Sequence, residues 1–81
     1  MALQPIYIDE IQGTQIQFFT GNRVYQANCA PYINQFPEVL DYFFKVRRDE
    51  TIIFIDLEAP CFYFSEDQAM TIPIYEVMSL D

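Results

Sequence analysis

The chain has 81 residues, 52% hydrophobic and 17% aromatic, with twelve acids against four bases and a formal net charge of −8. A disordered acidic tail is excluded, because such tails are poor in aromatic and β-branched residues. Imidazole chemistry is excluded by the absence of histidine. Direct contact with nucleic-acid phosphates is not expected, with only Arg23, Lys45, Arg47 and Arg48 to make it.

The length fits one small domain, 1–81. A domain of this size buries roughly 60–65% of the surface its unfolded chain exposes. The apolar supply exceeds what one small core takes up, so the surplus is expected on the surface as a partner site. No run approaches the ~20 apolar residues of a membrane-spanning helix. Met1-Ala2-Leu3-Gln4-Pro5 carries no basic region and no signal-like apolar core. The expectation is a cytoplasmic protein that does not engage a membrane. Cys29 and Cys61 lie far apart, outside any CxxC pair, and read as buried free thiols.

In chain order, residues 6–12, 15–20 and 23–28 read as an antiparallel meander. Gln12-Gly13-Thr14 separates the first two β-rich runs, and Gly21-Asn22, between the second and third, is a two-residue hairpin signal. A helix follows, with Asn34 as its N-cap and Pro37 in its first turn. Phe36, Val39, Leu40, Phe43 and Val46 or Arg47 recur at helical spacing and would face the sheet. Lys45, Arg47 and Arg48 fall near its negative end. Residues 51–58 and 61–65 read as strands around the Ala59-Pro60 turn, with 66–69 a polar connection. A last strand spans 71–78, at an edge or bulged because of Pro73. The expected fold is α+β: a small antiparallel sheet in the order βββ-α-βββ, with one helix packed on one face.

Strand alternation then sorts the residues into two faces. Ile6, Ile8, Ile16, Phe18, Ile53, Ile55, Leu57, Phe62 and Phe64 form the expected core. Tyr7, Phe19, Phe54, Tyr63 and Tyr75 fall on the other face with Asp9, Asp56 and Glu58. Aromatics with few rotatable bonds dominate interface energetics, and neighbouring acids suit a partner that presents Arg or Lys. The same Tyr and Phe residues also suit plain cross-strand packing.

No catalytic constellation stands out. Lys45 reads as a dipole partner. The acid pairs Asp9-Glu10, Asp49-Glu50 and Glu66-Asp67 read as solvating charge at element ends. No EF-hand, P-loop or GxGxxG pattern is present. No cofactor, metal or enzymatic activity is expected.

The leading reading is a non-catalytic protein–protein interaction module: an adaptor, assembly factor or inhibitor. It would dock on a larger protein with a basic or mixed surface through the eight residues named above. Using the same face twice would give a homodimer. One alternative is an acidic nucleic-acid mimic that blocks a DNA- or RNA-binding protein, although the acids are scattered rather than evenly spaced. Another is a small-ligand regulatory module, for which the core face offers few polar groups.

Overall fold

Two glycines set the first half of the sheet. Gly13 and Gly21 both take φ 62°, the left-handed conformation that a two-residue hairpin requires. They join β1 (Gln4–Gln12), β2 (Gln15–Thr20) and β3 (Arg23–Asn28). The pairs Gln12↔Gln15 and Thr20↔Arg23 close the two turns. The computed structural model describes residues 3–65 and 70–80. The expected connection at 66–69, with Glu66-Asp67, lies outside the described residues.

After β3 come two helices, α1 (Ala30–Gln35) and α2 (Val39–Asp49), where one was expected. The prolines account for the difference. Pro31 sits in the first turn of α1, where its missing N–H is harmless. The Asn28 side chain accepts from the Ala30 N–H at 2.9 Å at the start of α1, whereas Asn34 lies inside α1 and the N-cap of α2 is Glu38. Pro37 forces the preceding residue out of helical geometry, and Phe36 takes φ −129°, ψ 70°. A second helix begins two residues later. It ends with Arg47 and Arg48 in its last turn and Glu50 in the left-handed conformation, φ 54°.

The remaining strands are β4 (Ile53–Asp56), β5 (Cys61–Tyr63), β6 (Thr71–Pro73) and β7 (Glu76–Ser79). The expected last strand is therefore interrupted just after Pro73. The strand order is β6-β5-β4-β1-β2-β3-β7, antiparallel at every described pairing. β6 and β7 stand at opposite ends of that order, yet only Ile74 and Tyr75 separate them. The Ile74 N–H donates to the Pro60 carbonyl at 3.1 Å, beside β5. The Tyr75 N–H donates to the Asn28 carbonyl at 2.8 Å, at the end of β3. A two-residue link can join the two edges only if the sheet curls round to bring them together. The fold is α+β, but its sheet has an inside and an outside rather than two open faces.

Two strands turn the corners. β1 pairs with β4 through Gln4–Ile6 and with β2 through residues 7–12. Its register slips at Asp9: Ile8 faces Phe18, and Glu10 faces Gln17. This is a β-bulge, one extra residue that bends the strand and shifts its phase. Strict alternation after Ile6 and Ile8 would turn Glu10 inward. The bulge instead puts Ile11 opposite Ile16 and leaves Glu10 exposed. The second corner repeats the device. Ile72 and Ile74 are buried, the chain breaks, and Val77 faces Ala27 while Glu76 stays exposed. Both corner strands space their inward residues by two and then three.

The interior holds Ile6, Ile8, Ile16, Phe18, Ile53, Ile55 and Phe62, as expected, with Leu57 and Phe64 half-buried against them. Ile33 from α1 and Val39 and Phe43 from α2 join the same cluster. The Phe43 ring meets Phe62 edge-on at 5.4 Å, and Phe62 meets Phe18 likewise at 5.4 Å. Of the predicted helix face, Val39 and Phe43 are buried and Leu40 and Val46 partly so. Phe36 is exposed at the break between the helices, and Arg47 points away from the core. Cys29 and Cys61 are free and buried.

Candidate functional site

The curled sheet divides the eight aromatic and acidic residues grouped by alternation, and it buries two of them. Tyr7 and Phe19 stay together. They are directly paired across β1 and β2 and are 50% and 38% exposed. Phe54 pairs with Tyr63 across β4 and β5. Tyr75 is 70% exposed, but it sits beside Asn28. Val24, the partner of Phe19, is four residues away along β3, roughly 13 Å.

Two of the eight are not accessible. Asp56 is 3% and Tyr63 7% exposed. Asp56 was expected in water because it is an acid. Its Oδ1 instead accepts the N–H of Glu58 at 2.9 Å and of Ala59 at 3.3 Å. It closes the turn into β5 with its own side chain, which replaces the water a carboxylate otherwise needs. Glu58 lies in that turn and is exposed. Tyr63 stands next to Cys61 on the same side of β5. A hydrogen bond with the Cys61 side chain, then burial, pushes its phenol above the ordinary value of 10.0. Phe54 is half-buried. This part of the predicted surface is a packed layer, with Glu58 at its rim.

The Tyr7–Phe19 pair forms one wall of an open cleft of about 770 Å³. Asp9 shares that wall, and Val46, Arg47, Arg48 and Glu50 of the α2 terminus form the other. The bulge positions the two walls. Asp9 Oδ2 accepts from Gln17 Nε2 at 2.6 Å, and the Asp9 carbonyl accepts from Arg47 Nε at 2.7 Å. Arg48 pairs with Asp49 at 3.2 Å on the open surface, a contact of little energetic weight. Arg47 also lines a second, smaller hollow, with Glu10, Ile11, Gln12 and Phe44.

Glu50 is out of keeping with its position. Among the described residues it is the one non-glycine with positive φ. A left-handed glutamate costs roughly 1–2 kcal/mol relative to glycine, and an acid at a helix C-terminus opposes the dipole. Strained residues of this kind cluster at functional sites. Sequence reading missed this second wall, because Lys45, Arg47 and Arg48 were assigned to the helix dipole and Arg47, as the alternative to Val46, to the face packed on the sheet. The available signal was that three of the chain's four bases fall within residues 45–48.

Among the described residues no group of three or more His, Cys, Asp or Glu is placed to hold a metal. No described helix is long and apolar enough to cross a membrane. Comparison with known protein families, curated proteins and solved structures finds no match for this chain.

Proposed function

We propose that the chain is a non-catalytic protein–protein interaction module whose docking surface is the Tyr7–Phe19 cleft. The observation that carries this reading is a solvent-exposed aromatic pair set against charges of both signs. Two rings with few rotatable bonds lose little entropy on binding and supply most of the contact energy. Arg47 and Arg48 with Asp9 and Glu50 suit a partner of mixed charge, and fix its orientation and encounter rate more than its affinity. Glu58 and Tyr75 lie apart from the cleft, as accessory contacts for a larger partner or for none.

The test is a pull-down from the producing cells with wild type and with Tyr7→Ser/Phe19→Ser, alongside sedimentation of each alone. The reading expects a protein, or a second copy of the chain, held by wild type and lost by the variant. Equal retention by both overturns it.

A further inference from the structure

Resting on that reading, we propose that Arg47 is a pre-set carboxylate anchor, so that the segment docking in the cleft carries an acidic group beside an apolar side chain. In a chain with three acids per base, Arg47 forms no ion pair with an acid among the described residues. The ion pair among the described residues is Arg48–Asp49. The contact Arg47 does make is at Nε, to the bulge carbonyl of Asp9. That bond holds the guanidinium plane and leaves the two Nη nitrogens for a ligand. A guanidinium held in this way meets a carboxylate with two parallel N–H···O bonds and loses little side-chain entropy doing so.

Among the described residues β1 pairs with β4 only through Gln4–Ile6, so past Ile6 its other edge is open, and at the bulge the Asp9 carbonyl is turned to Arg47. Tyr7 and Phe19 stand in the same cleft, in place for the apolar neighbour of the acid. Asp9 and Glu50 decide between anion classes. The Asp9 carboxylate is engaged by Gln17, and Glu50 sits on the rim. In a chain of net charge −8, a phosphate dianion is repelled about twice as strongly as a single carboxylate. A protein carboxylate therefore fits this cleft better than a phosphomonoester dianion.

The test uses the intact chain, labelled with ¹⁵N, and three probes: N-acetyl-phenylalanine, N-acetyl-phenylalaninamide and phenyl phosphate. N-acetyl-phenylalanine should shift the Arg47 Nε–H signal together with the Phe19 and Tyr7 amides, and bind about fivefold more tightly than the amide at low salt. That preference should fade toward 0.5 M salt, where screening is short-ranged (~4 Å). Arg47→Lys keeps the charge but loses the fork and should keep only part of the preference, and Arg47→Gln should bind both phenylalanine probes equally. Shifts at Tyr7 and Phe19 that are equal for acid and amide would leave the docking cleft standing and overturn the anchor. No shift from any probe would overturn both. Tighter binding of phenyl phosphate would replace the carboxylate with a phosphate ligand and overturn the proposal.

Discussion

Arg47 Nε donates a 2.7 Å hydrogen bond to the carbonyl of Asp9, 38 residues earlier in the chain. The bond ties the last turn of α2 to the bulge of β1, at the corner where the curled sheet bends. Fold and cleft meet at this point. The residue whose insertion turns Ile11 inward also supplies the carbonyl that holds Arg47.

Deleting Asp9 should straighten β1, keep Ile11 facing Ile16 and remove that carbonyl. The strand then loses the bend that lets it pair with β4 in one half and β2 in the other. A loss of about 2 kcal/mol or more is expected, read as a lower urea midpoint. Arg47→Ala should cost only about 1 kcal/mol, because water can reach the abandoned carbonyl.

Glu50→Gly should stabilise the fold by about 1 kcal/mol. It relieves a left-handed non-glycine residue and removes an acid from a helix C-terminus. Thermal melts of the two proteins at one pH and salt concentration decide this. If Glu50 serves the cleft, the more stable variant binds a partner's base less well.

Tyr7→Ser/Phe19→Ser should leave circular dichroism unchanged and stability within about 1 kcal/mol, since both rings are exposed. Tyr63→Asp should unfold the chain, because that side chain is buried and an added carboxylate there has no water. A Tyr63→Asp variant with a native melting profile would show that the β5 layer is open to solvent.

Asp56→Ala should destabilise by about 1–3 kcal/mol by stranding the Glu58 and Ala59 amides at the turn. Asp56→Asn keeps an Oδ1 acceptor in the same place and should recover most of the loss. Urea titrations of the three proteins make the comparison.

Burial pushes the Cys29 thiol up from 9.0 to about 12. Between those values the unfolded chain has released this proton and the folded chain still holds it. Stability should therefore be intact below pH 9 and fall by roughly 1.4 kcal/mol per pH unit above it, from this group alone. The raised phenol of Tyr63 acts in the same direction. Cys29→Ala will be less stable at neutral pH, but its stability should decline less steeply between pH 9 and 10.5.

Local chemistry made the hairpins legible in the sequence, because Gly13 and Gly21 are the residues that a two-residue turn demands. It also made the inward set of Ile6, Ile8, Ile16, Phe18, Ile53, Ile55 and Phe62 legible, since a strand has a period of two. The break between the helices was half-legible. Pro37 marked one start, and the one-helix reading made no use of Pro31, which stands in the first turn of α1. The spacing of Ile6, Ile8 and Ile11, like that of Ile72, Ile74 and Val77, already contained the phase shifts at both corners.

Alternation along a strand reports which side a residue takes, and nothing about what covers that side. That is why Asp56 and Tyr63 shared a predicted surface with Tyr7 and Phe19 and yet are buried. Curling of the sheet is a long-range event, set by a bulge in β1 and a two-residue link at Ile74–Tyr75. Only this curling, with α2 laid along β1, brings Arg47 to Asp9 and gives the aromatic pair its second wall. The sequence by itself determined the meander, the inward set along β1, β2, β4 and β5, and the aromatic and acidic character of the residues opposite it. Tertiary structure alone decided which of those residues stand together in one cleft.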